Sequence, residues 1–263
     1  MNLLGAAILG ILIAVVLFAS RRWAVIAMMT GVLYLTQGQA VQVMGLNMFA
    51  VRFLELAGFV RVIARREFLF STLNEIDRAL LLVYSYTAIV FLLRSNEGQT
   101  YWIGRATDAF LCYLTFRGLI ENMEDLRWFL RNFLLILAPY TALILIESLT
   151  GNNPFYLMAD ISYGEWFREG RLRCYGSFPH PSLLGTLGAS FFPLYIGLAF
   201  VKAERRRALI GVGLCLVIVL ASNSGGPPGP PRSDWLAGFC GGCERGCKRS
   251  GGAWCPRLFC WPS

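Results

Sequence analysis

The sequence predicts an all-α protein, a polytopic transmembrane bundle of seven or eight helices with one long extracytoplasmic loop. Three features point there. Hydrophobic residues fill 56% of the 263 positions and charged residues only 15%, where soluble domains carry roughly 25% charge. Mean hydropathy is +0.54. The charge that remains leans basic, at a formal +8, which in a chain this apolar reads as the Lys/Arg excess of cytoplasmic loops. No basic stripe interleaved with aromatics is present, so nucleic acid is not an expected partner.

The apolar stretches run in order over 1–20, 23–37, 46–63, 79–93, 106–120, 129–147, 183–201 and 208–222. The first is uncharged and is closed by Arg21 and Arg22. A cleaved signal peptide carries its positive charge ahead of the apolar core, so this order predicts a retained helix with its N-terminus outside the cytoplasm. The third holds Arg52 and Glu55 where charge is expensive, and 38–63 also fits a re-entrant segment. A helix starting at Leu46 would set Arg52 about 9 Å in from the outer surface, paired with Glu55 or snorkelling. Asp108 and Arg117 read as interfacial caps of the fifth stretch. Pro139 and Pro193 are expected to bend their helices, and Gly185, Gly188 and Ala189 give the seventh a smooth edge for close packing.

The connecting segments fit an alternating topology. "KAERRR", Lys202–Arg207, anchors the cytoplasmic side, and counting outward puts Arg21/Arg22, the Arg61–Arg66 loop with Arg78, and 121–131 beside it. The opposite side receives 38–45, 94–105 and 151–182. The first set holds twelve Lys/Arg and the second five, so charge bias and alternation agree. The loop 151–182 is then extracytoplasmic. A connection this long, rich in aromatics and balanced in charge, is expected to be an ordered cap with a short helix around 162–169.

Composition breaks after residue 225, giving a transmembrane domain over 1–225 and a Gly/Pro/Cys-rich tail over 226–263. The tail has neither helical nor strand period. Cys240, Cys243 and Cys247 are poorly spaced for zinc, with no histidine nearby, and a disulfide knot would need an oxidising compartment. The segment reads as disordered or as frameshift-derived sequence, in which case the native second half is missing.

The chain's single histidine, His180, lies in "GRLRCYGSFPHPSLLGTLGAS" between two prolines. Proline suits the first helical position, so Pro181 is expected to start the seventh helix with His180 at its N-cap. The partial positive charge there disfavours an imidazolium ring and leaves a neutral base. Free N–H groups at the helix start, with Arg171 and Arg173, would suit phosphate oxygens. The same residues fit a plainer role equally well: a polar turn, and arginines that hold headgroups or pair with Glu165 and Glu169.

With those residues in view, the chain resembles the O-antigen ligase/polymerase family of bacterial polytopic membrane proteins. The resemblance rests on "GRLRCYGSFPHPSLLGTLGASFFPLYIGL" and on "FRGLIENMEDLRWFLR", and it spans residues 23–225. It implies a glycosyltransferase of the bacterial inner membrane, active in lipopolysaccharide and cell-envelope biosynthesis without metal or other cofactor. Such proteins move a glycan from an undecaprenyl-diphosphate carrier to an acceptor sugar or lipid on the periplasmic side. His180 then resembles the histidine that activates the acceptor hydroxyl, Arg171 and Arg173 the arginines that hold the pyrophosphate, and Arg52 is a further substrate-binding candidate. Two departures stand out: the family has more helices, and "LASNSGG" lacks the arginine its members carry near that turn. A transporter or flippase of a lipid-linked or anionic solute, and an inactive fragment, remain the alternatives.

Overall fold

The computed structural model describes residues 3–36, 40–43, 46–67, 73–94, 99–157, 167–168 and 171–223. The chain divides into two units, Met1–Ser224 and Gly225–Ser263, and every described residue belongs to the first. The tail and its cysteines lie outside the described residues, as does the Glu165/Glu169 pairing.

The protein is all-helical, with eight helices among the described residues: α1 Leu3–Phe18, α2 Arg21–Tyr34, α3 Ala50–Ala64, α4 Glu75–Arg94, α5 Gln99–Leu119, α6 Met123–Thr150, α7 Pro181–Ala199 and α8 Arg205–Ser222. Three of them are long and apolar enough to cross a membrane: Glu75–Leu93, Met123–Thr150 and Pro181–Ala199. Two small antiparallel hairpins interrupt the helices. In one, β1 (Ala40–Val43) pairs with β2 (Leu46–Phe49), and in the other β3 (Phe167–Arg168) pairs with β4 (Arg171–Leu172).

Those hairpins correct two expectations. The apolar stretch from residue 46 opens as a strand, so α3 begins at Ala50 and Arg52 lies in its first turn instead of deep within it. The short helix expected around 162–169 is a strand where it is described, at Phe167–Arg168; a single 3-10 turn forms earlier, at Pro154–Leu157.

The helix ends follow local chemistry. Asn122 caps α6 by accepting from the Asp125 N–H at 2.9 Å, and Glu124 and Asp125 place acid in the first turn, where the helix dipole favours it. Gly151, at φ +75°, ends the helix and donates to the Glu147 carbonyl at 2.9 Å. Pro139 and Pro193 sit inside continuous helices.

Polar contacts gather the helix termini at two ends. At one, Arg21 and Arg22 reach Asp125 at 2.6 and 2.9 Å, joining α2 to the start of α6. Arg61, only 2% exposed, donates Nη1 to the Val16 and Ala19 carbonyls at 2.6 and 2.7 Å and pairs with Glu67. Arg117 lies 3.5 Å from Asp77, which also accepts from the Tyr113 hydroxyl. Arg131 meets Glu204 at 3.3 Å. Every loop placed on one side by the charge alternation therefore contributes to the same end.

The apolar middle of α2 is buried from Ala24 to Met29, and this helix packs against α1, α3, α5 and α6. The pair α7–α8 packs closely. A Cβ at Gly188 would lie 2.9 Å from the Cys215 carbonyl oxygen, and Gly211 makes room for the Tyr195 ring. Tyr195 passes through that gap and donates its hydroxyl to the Leu130 carbonyl at 3.0 Å. Of the smooth edge expected on α7, Gly185 and Gly188 are buried and Ala189 is exposed.

Candidate functional site

The candidate site is built from the segment 173–180, a buried strap leading into α7. Its start is tied to the end of α8: the Cys174 N–H donates to the Ala221 carbonyl at 3.1 Å, and Arg173 Nε reaches the Ser222 carbonyl at 3.4 Å. A guanidinium suits a helix C-terminus, where carbonyls are unpaired and the dipole is negative.

The middle of the strap is tied to α6 by one carboxylate. Glu147, 2% exposed, accepts the Tyr175 N–H on Oε1 and the Gly176 N–H on Oε2, both at 3.0 Å. Asn153 completes the clamp, donating Nδ2 to the Gly176 carbonyl at 2.8 Å while its Oδ1 accepts from Phe155 N at 2.9 Å. Gly176 is required twice over. Its φ of +58° is left-handed, and a Cβ there would approach Tyr140 Oη to 2.8 Å. Beneath it, Tyr140, Tyr34 and Phe155 form an aromatic cluster, and Tyr140 Oη lies 3.3 Å from Ser177 Oγ.

Neither thiol nor phenol in the strap is available for proton chemistry near neutrality. Burial pushes the Cys174 thiol up to about 12, with the Glu147 carboxylate adding to it. Burial, and then the hydrogen bond with the Tyr156 hydroxyl, raise Tyr175 above the ordinary phenol value.

The strap ends at His180, which is the N-cap of α7 as the proline spacing predicts. Its backbone is extended, Pro181 takes the first helical position, and Nδ1 accepts from the Ser182 N–H at 3.1 Å. This corrects the expected phosphate cradle. Pro181 has no N–H, the Ser182 N–H goes to the imidazole, and the Leu183 N–H goes to the His180 carbonyl at 3.0 Å. The histidine itself consumes the donors that were expected to face an anion.

No family model, curated protein or solved structure matches the chain. A functional reading therefore rests on the residues and their geometry.

The four expected site residues are only partly brought together. His180 and Arg173 share the strap, both half-buried. Arg171 enters β4 by its backbone, paired with Arg168, and its side chain lies outside the described residues. Arg52 belongs elsewhere. It makes a forked ion pair with Asp108, with Nε and Nη2 each 2.8 Å from a carboxylate oxygen, and its guanidinium lies over the Phe49 ring. That pairing replaces both the Glu55 partner and the interfacial-cap role expected of Asp108. Arg52 belongs to α3, which packs against α1, α2 and α5, whereas the strap is tied to α6 and α8 and leads into α7. Among the described residues no three His, Cys, Asp or Glu side chains converge as metal ligands would.

Sequence reasoning misses Glu147. A signal is present: a carboxylate closing the apolar run "LILIE" is costly in the same way as Arg52 and Glu55. Its place at the close of that run reads equally as the end of a span, which hides it.

Proposed function

We propose that the chain is a multi-pass bacterial inner-membrane glycan transferase of the O-antigen ligase/polymerase type, with the 173–180 strap on the periplasmic side. The observation that carries this reading is the placement of the only histidine at the head of a membrane-length helix, on one short segment with Arg173.

In the proposed reaction the guanidinium of Arg173, with Arg171, holds the diphosphate of an undecaprenyl-linked glycan. The acceptor hydroxyl loses its proton to His180 as its oxygen attacks the anomeric carbon. The bond from that carbon to the diphosphate breaks, and undecaprenyl diphosphate departs with the electron pair. The cap adds a constraint. While Nδ1 accepts from Ser182, the neutral ring carries its proton on Nε2 and is a donor there. Taking a proton at Nε2 requires the other tautomer, with Nδ1–H, so the cap bond yields during turnover.

Two substitutions separate proton transfer from capping. His180→Ala removes both, and His180→Asn keeps one of the best N-caps while removing the base. Both variants are expected to insert normally and to lose about a hundredfold or more in glycan transfer to an acceptor. Transfer retained by His180→Asn would sink the catalytic assignment and leave the ring as a cap.

A transport reading draws on a different observation. Glu55 Oε2 is buried without a hydrogen-bond partner, beside the Arg52–Asp108 pair. Ionisable groups among apolar helices mark solute or proton paths in carriers. Under that reading Glu55→Gln abolishes flipping of a lipid-linked glycan and His180→Asn does not.

A further inference from the structure

We infer that Glu147 is a positioning residue for the His180–Arg173 strap, holding the ring at the head of α7 and the guanidinium at the end of α8. The inference rests on the reading of residues 173–180 as the working segment.

A carboxylate can give each of two backbone N–H groups its own oxygen, which an amide or a hydroxyl cannot. It offers two acceptor oxygens and no donor, so it can receive two consecutive backbone N–H groups at once. Tyr175 and Gly176 present such a pair, and each finds its own oxygen at 3.0 Å. Bonds from neutral donors to an ionised acceptor are about twice as strong as neutral ones. The clamp lies only two residues from Arg173 and four from His180.

Among the described residues Glu147 is the side chain that takes both backbone N–H groups at the strap's centre. Upstream, the bonds to Ala221 and Ser222 fix its entry. Downstream, the Phe178 N–H closes a turn onto the Tyr175 carbonyl at 3.0 Å, so the exit direction toward His180 is set by the residue Glu147 grips. Asn153 holds the Gly176 carbonyl. One side chain thus fixes the two N–H groups and another fixes the carbonyl, leaving Gly176 no freedom to reorient. The carboxylate is also bound by geometry to α6, whose last turn carries it. Displacement of that turn moves the strap, and with it both proposed site residues.

The single histidine supplies a readout independent of turnover. Diethyl pyrocarbonate acylates an unprotonated imidazole nitrogen, and in a chain purified without a histidine tag only His180 gives the imidazole product. A ring held in place by an anchored strap should react slowly. Glu147→Gln keeps size but replaces one acceptor with an NH2 that confronts a backbone N–H. Acylation of His180 is expected to rise severalfold in this variant, while kcat for glycan transfer falls about tenfold with little change in KM for the acceptor. Asn153→Ala, which leaves the Gly176 carbonyl unpaired, should shift both in the same direction and serves if the first variant does not fold. Unchanged acylation rates in the folded variants would overturn the positioning role. Faster acylation with glycan transfer unaffected, both here and in His180→Asn, would uphold the positioning role and refute the transferase reading.

Discussion

Arg61 shows what one side chain contributes when it is buried with its donors used. It closes the C-terminal carbonyls of α1 and neutralises Glu67 in the same stroke. Replacement by Met leaves two carbonyls without donors and a mostly buried carboxylate without its counter-charge, a loss of about 3–5 kcal/mol. The Arg61→Met/Glu67→Met double variant should recover part of that, because no lone charge remains. Reversible unfolding in detergent measures both, and a single variant no worse than the double would contradict the expectation. Legibility at this scale is uneven. The cap at His180 can be read from Pro-His-Pro because a cap is local. The partner of Arg52 cannot, because Asp108 is 56 residues away and a sequence shows charges without showing which ones meet.

The α7–α8 pair carries the prediction at the level of elements. At Gly188 a methyl would press on the Cys215 carbonyl, a backbone atom held by its own helix. Gly188→Ala must push the helices apart and is expected to cost roughly 1–3 kcal/mol. Gly197→Ala on the same helix is the control, since nothing lies within 4 Å of the added carbon. There the better helix former should be neutral or stabilise by up to about 1 kcal/mol. Thermal unfolding of the two variants side by side checks this, and equal midpoints would show that the close approach is not rigid. Hydropathy makes the helices themselves visible, since all eight overlap apolar runs in the sequence. It cannot show where residues 46–49 change to strand, because a short apolar segment serves either state.

For the molecule as a whole, the two sets of helix ends set up a test of sidedness. An epitope placed after Arg66 or Arg206 should be reached only once cells are lysed, and one after Asn152 should be reached in intact spheroplasts. All three positions are exposed. The reverse pattern would put the strap in the cytosol, away from any periplasmic glycan. The fold also leaves α4 on the flank, far less buried than α6.

The length of α6 adds a further consequence. Its two buried carboxylates, Asp125 and Glu147, are separated by 22 positions along one helix, about 33 Å of rise. A bilayer's hydrocarbon layer is about 30 Å thick. A sheet of lipid that wets the residues between them therefore finds each acid level with a headgroup zone, where an anion is tolerated. The helix acts as a ruler, and lipids with shorter or longer tails would tug first on the two acids that anchor its extremities.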